Sequence, residues 1–250
     1  MVSIGVSSSA LDTAIVTNLV RAKQSSLGSV TVSHGPSISS KFTTAGLNDG
    51  SATANANYAY YAVNDSSGGN LPITITFNLN TNSATGGSPA GYVVNSLQVL
   101  SGWADSNLAN QSFQLLLSLN GGPFSSYGVF GSSTNTTALN NGNNSILQTL
   151  TGNSSPIATG VTAVQLNFLN PGGSQGGSGG TLIREIQVFG APVVNLKMQP
   201  TTGNQLQLTW PMGVLLEATN ISGPWTTSTA APPYTITPTT PQLFYRVQIQ

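Results

Sequence analysis

The stretch Leu71–Leu79, LPITITFNL, decides the fold class. Leu71, Ile73, Ile75, Phe77 and Leu79 fall on one side of an extended chain, and Pro72, Thr74, Thr76 and Asn78 fall on the other. A clean period of two is the pattern of a half-buried β-strand. The pattern recurs along the chain. SFQLLLSL puts Phe113, Leu115, Leu117 and Leu119 on one face, and VTAVQLNFL puts Val164, Leu166 and Phe168 together. TLIREIQVF groups Leu182, Ile186 and Val188, with Arg184 in the same row. YVVNSLQVL (92–100) is apolar on both faces and is expected in the middle of a sheet. The one helical candidate is 9–23, where Leu11, Ile15 and Leu19 follow helical spacing, but its β-branched residues suit a strand equally.

Gly- and Ser-rich runs separate these strands. NPGGSQGGSGG (170–180) has the composition of a flexible hairpin connection, and 81–91 and 131–145 are polar surface loops. A boundary falls near Gly190-Ala191-Pro192. Beyond it, VVNLKMQ and QLQLTW alternate around a PTTGN turn, and LFYRVQIQ places Leu243, Tyr245, Val247 and Ile249 on one face. The expected organisation is an N-terminal arm or first strands (1–40), a main β domain (41–190) and a small C-terminal β module (191–250). Sixty residues bury little core, so the module is expected to pack on the first domain or on a neighbour.

Composition narrows the function. The 250 residues include six basic and six acidic side chains, so charged residues are 5% of the chain, against roughly 25% in an average soluble protein. Ser, Thr and Asn supply about a third of the chain instead. Without Lys/Arg clusters there is no driving force for nucleic-acid binding or for attraction to an anionic membrane. No stretch approaches the ~20 apolar residues of a membrane span. There is no cysteine, which excludes disulfides and thiolate metal sites. A surface of hydroxyls and amides without net charge suits contact with glycans or with identical subunits, a homo-oligomer included. The N-terminus lacks a basic n-region and Asp12 interrupts its apolar run, so no signal peptide is visible.

Catalytic chemistry is sparse. The single histidine, His34, lies in the loop-like SHGPS. GGSQG (172–176) and GGSGG (176–180) match the G-x-S-x-G pattern, but they sit in a Gly/Ser loop between strands, not at the strand-to-helix turn a nucleophile elbow needs. No pair among Asp12, Asp49, Asp65, Asp105, Glu185 and Glu217 is marked by spacing as a glycosidase pair. The chain is expected not to be an enzyme.

Three segments resemble one family. AGLNDGS (45–51) is similar to an early "A-x-D-G" loop. YVVNSLQVLSGWADSNLANQSFQLLLSLNGGPF (92–124) is similar to a strand, a Trp-containing loop and the next strand. TLIREIQVFG (181–190) is similar to a closing "E-hydrophobic-x-V-aromatic-G" strand. Together they resemble the discoidin, or coagulation factor 5/8 C-type, galactose-binding-like superfamily. The resemblance implies an all-β jelly-roll β-sandwich and a glycan-binding or adhesive role outside the cell or at its surface. It also implies a structural calcium, with carboxylates from Asp49 and Glu185 and a hydroxyl and carbonyl from Ser51. Calcium takes six to eight oxygens, so loop carbonyls would complete the set. Trp103, in SGWADSN, offers a face for a sugar ring and Asp105 an acceptor for its hydroxyls; the plainer role for Trp103 is to close one end of the barrel.

From Gln205 onward, the L-x-W-P…L-x-x-A-T-N…G-P-W…Y…F-Y-R series resembles small β modules of exported planctomycete and verrucomicrobial proteins. Trp210 and Trp225 are expected in its core. The alternative function is a structural subunit of a self-assembling filament, surface layer or virion. In that case VSIGV (2–6) and AIVTNLV (14–20) would add as strands to the edge of a neighbouring sheet, the N-terminal arm docking on a neighbour.

Overall fold

The computed structural model describes residues 2–5, 18–33, 44–50, 60–62, 73–101, 110–132, 146–169, 181–239 and 242–248. Ten strands hydrogen-bond into one sheet system: β1 (Val2–Gly5), β2 (Leu27–Ser33), β3 (Tyr60–Ala62), β4 (Ile73–Leu79), β5 (Tyr92–Ser101), β6 (Gln111–Leu119), β7 (Phe124–Ser132), β8 (Ile146–Thr151), β9 (Ala158–Phe168) and β10 (Thr181–Pro192). All pairings are antiparallel. One layer runs β2-β4-β9-β6-β7 and the other β1-β8-β5-β10-β3. They join at a corner where Tyr92 pairs with Val161 and Val94 with Ala158. The result is an all-β jelly-roll sandwich.

The alternation quoted above builds its interior. Ile73, Ile75, Phe77 and Leu79 of β4 are buried against Phe113, Leu115 and Leu117 of β6 and Val164, Leu166 and Phe168 of β9. Leu97 and Val99 of β5, Leu150 of β8 and Ile186 and Val188 of β10 close the core from the other layer. The Phe113 ring lies 5.5 Å from that of Phe168 and 6.1 Å from that of Phe130. Each such side chain contributes about 1.5–3 kcal/mol by leaving water. YVVNSLQVL is central, as its two apolar faces imply: β5 pairs with β8, β9 and β10.

One expectation for the sandwich needs correction. Arg184 does not continue the row of Ile186 and Val188. A bulge between Ile183 and Glu185 adds one residue to β10, and Ile183 is the fully buried member upstream of it; an extra residue flips the side-chain phase. At the end of 9–23, where the sequence leaves helix and strand equally open, the described residues are not helical. Asn18 forms a β-bridge with Phe189, and turns follow through Lys23. Asn18 Oδ1 accepts from the backbone N–H of both Val20 and Val188. This local alternative to a helical ladder is typical of Asn. The arm's first strand, expected to dock on a neighbour, instead docks on its own domain: β1 pairs with β8 of the same chain, from Val2↔Leu150 to Gly5↔Leu147.

After Pro192 the chain is tied to the sandwich by Val193 N–H donating to Gly91 O and Ser88 Oγ donating to Val193 O. Six short strands follow: β11 (Lys197–Pro200), β12 (Leu206–Thr209), β13 (Val214–Ala218), β14 (Thr226–Thr227), β15 (Tyr234–Ile236) and β16 (Phe244–Gln248). They make two three-stranded sheets, β11-β12-β15 and β14-β13-β16, around Leu208, Trp210 and Leu215. Trp225 is not in that core. It is half-buried, and the Arg246 guanidinium stacks 4.2 Å from its ring centre.

Candidate functional site

One end of the sandwich gathers several buried polar side chains. There the first residues of β10, the last residue of β5 and the first residues of β6 and β8 come together. Gln111 Nε2 donates to Val99 O, Ser101 Oγ and Ile146 O, so a single amide ties three strands. Thr181 Oγ1 donates to Asn110 O. Ile183 pairs with Ser101. Arg184 is buried beside them, and burial lowers its pKa. Several atoms here keep unspent hydrogen-bonding capacity. Gln111 Oε1, both amide atoms of Gln148, and Glu185 Oε2 are buried with no hydrogen-bond partner. Folded proteins leave few such groups, because each costs the full desolvation of a polar atom.

Glu185 is the focus of the charge. Its side chain is fully buried, and its Oε1 accepts from the Gly50 N–H at 3.1 Å. Burial is the largest influence on its carboxyl and the nearby Asp49 charge adds to it; together they push its pKa up to about 9. The Gly50 N–H and the Arg21 charge oppose them only in part. Gln187 also opposes, weakly, since its amide makes no hydrogen bond of normal geometry. Gly50 has φ +81°, and a Cβ there would press on the Arg21 guanidinium, so the D-G turn and Arg21 are packed face to face. The turn is held from below by Asn48, whose Nδ2 donates to Val20 O, and by Ala22 N–H donating to Asn48 O.

Asp49 and Glu185, paired in the sequence only by the family resemblance, are thus brought together across the fold. Two buried or half-buried carboxylates with one unpartnered oxygen match the oxygen donors a hard cation takes. Among the described residues no three His, Cys, Asp or Glu side chains cluster, so backbone carbonyls would have to complete any shell. Ser51, Trp103 and Asp105 lie outside the described residues, as do His34 and the G-x-S-x-G segment. Ser101 and Asn110, which bound the segment carrying Trp103 and Asp105, both sit at the polar end. Sequence reasoning missed Arg21, Gln111 and Gln148. Arg21 is one of only six basic residues, and that scarcity was a usable signal. Nothing in a chain so rich in amides separates Gln111 from the rest.

The outer face of the β2-β4-β9-β6-β7 layer is different in kind. Thr74 Oγ1 donates to Asn167 Oδ1, Asn167 Nδ2 to Gln114 Oε1, and Gln114 Nε2 to Ser126 Oγ, which crosses four strands. Beside this line, Gln165 Nε2 donates to Thr76 Oγ1 and Asn78 Nδ2 to Ser29 Oγ. These side chains are all uncharged.

No family model matches the chain, and no curated protein matches it in sequence. Solved structures do resemble it. A family 32 carbohydrate-binding module of Clostridium perfringens NanJ, in complex with galactose, is 16% identical with a TM-score of 0.44, over 69% of this chain and 98% of that one. Another from Clostridium perfringens, in complex with GalNAc-beta-1,3-galactose, is 21% identical with a TM-score of 0.39, over 64% and 94%. The C-terminal domain of a chitobiase from Bacteroides fragilis is 18% identical with a TM-score of 0.39, over 67% and 93%. These are likenesses of outline, and the sugars named belong to those proteins.

Proposed function

We propose that the chain is a non-catalytic, extracellular or cell-surface module that binds a neutral glycan at the polar end of the sandwich, with Trp103 as stacking face and Asp105 as hydroxyl acceptor. The observation that supports this reading is the buried polar capacity at the end where the Trp103 segment is anchored. Neutral sugars are recognised by amides, hydroxyls and an aromatic face, and those are the groups this chain is rich in. The reading includes a structural calcium held by Asp49 and Glu185, with Ser51 and loop carbonyls. When bound, the cation would supply the positive charge this carboxylate pair is short of. Asp49 and Glu185 are then structural, since the fully buried Glu185 is not presented to a substrate.

The test is calorimetric titration with galactose and N-acetylgalactosamine and a screen of neutral polysaccharides, on wild type and Trp103→Ala. The expected result is binding by wild type, a tenfold or greater loss in the variant, and equal melting temperatures. No binding to any glycan overturns the reading, and a large loss of stability in Trp103→Ala makes Trp103 a core residue. A structural, self-assembling role is the second reading. One observation favours it, the exposed edge at β7.

A further inference from the structure

β7 lies at the edge of its layer. Among the described residues it pairs with β6 alone, over Gln111↔Ser132 to Ser118↔Phe124. It is also the edge that shows apolar surface: Phe124 is 38% exposed, Tyr127 44% and Val129 62%. An open edge is a row of unpaired N–H and C=O groups, and proteins normally blunt it with Lys, Pro, an inward charge or a bulge. FSSYGVFGS contains no charge and no proline. Its one blunting device is the bulge at Tyr127, where the register shifts between Leu115 and Leu116. That bulge lies before Gly128, so the run Gly128–Ser132 is left regular. The other edges differ. β2 exposes Gly28, Ser29, Thr31 and Ser33, which are small and polar, while β1 has four residues and β3 three.

We propose that β7 is a self-association edge, where two copies of this chain pair antiparallel along Gly128–Ser132 about a two-fold axis. A two-fold contact sets a strand against itself, so any charge on it would meet its own like. β7 has none, and the chain's net charge is zero. Pairing buries Val129 on both sides and completes the open backbone ladder. The β2-β4-β9-β6-β7 layer of each copy becomes half of a ten-stranded sheet, and the amide and hydroxyl line ending at Ser126 approaches its symmetry mate. An edge pair is a small contact, below the ~1,200 Å² of stable interfaces, so the dimer is weak and reversible. The inference rests on β7 alone and is independent of glycan binding.

Sedimentation velocity on the full chain, from about 5 μM to about 500 μM, tests it. Wild type is expected to pass from monomer to dimer over that range. Val129→Lys is expected to stay monomeric with an unchanged melting temperature, and Thr31→Lys on the β2 edge to dimerise like wild type. A wild type that is monomeric throughout overturns the proposal. So does a Val129→Lys protein that still associates, or an equal loss in Thr31→Lys.

Discussion

The backbone N–H of Gly50 donates to Glu185 Oε1 across 135 residues of chain. This one bond joins the D-G turn to the closing strand, and it is a single donor for a carboxyl with no other described hydrogen-bond partner. The neutral acid is therefore the form the folded state prefers, up to about pH 9.

Stability should fall as the solution becomes alkaline. An unfolded Glu releases its proton near 4.5, and the folded Glu185 near 9. Between these values the folded state binds the extra proton, so its contribution is full below about 4.5 and is lost progressively as pH rises to about 9. Each unit of such a shift is worth about 1.4 kcal/mol. In chelator-treated buffer the melting temperature is expected to drop by roughly 10–25 °C over this range. Glu185→Gln should flatten the slope. An equally steep slope in that variant would place the titrating group elsewhere.

Calcium should oppose that trend. A cation at Asp49 and Glu185 favours both ionised carboxylates, so millimolar calcium at neutral pH is expected to raise the melting temperature by a few degrees. Chelation should reverse it, and Asp49→Asn should show no response. Identical melting curves with calcium and with chelator would remove calcium from the account.

Asn18→Ala should cost about 1–3 kcal/mol, because it strips one buried acceptor from two N–H groups, Val20 and Val188. Urea denaturation would measure the loss. Hydrogen exchange should locate it, with the Val188 amide losing protection more than Val164 in the far layer. A change within error would mean that Asn18 only fills space.

Gly190→Ala should cost on the order of 3 kcal/mol. A methyl group there would strike the Val93 carbonyl and the Leu19 side chain, at the register shift between Phe189 and Gly190. Chemical denaturation that leaves the midpoint unmoved would show that β10 can slide away from β5 freely.

Alternation made the sandwich legible, since burial on one face leaves a period of two that needs no partner to be seen. Ile73, Ile75 and Phe77 announced their own orientation. The Asp49–Glu185 pair was legible only through resemblance, because nothing local links residues 135 positions apart. Arg184 was misplaced because a bulge is a property of two strands together, invisible in one. Trp225 was misread because an aromatic residue in a small module can be covered by a guanidinium in place of a core. β7 went unnoticed for the opposite reason. Its Ser and Gly residues blur the period, and an edge is defined by a neighbour that is absent.

The line from Thr74 through Asn167 and Gln114 to Ser126 spends its dipoles on itself. Dissolved salt shortens the reach of a charge to about 10 Å at 0.1 M, but it leaves short-range dipolar contacts nearly untouched. A face built this way loses nothing when ionic strength rises. Whatever such a face touches, it should hold alike in fresh water and in brine.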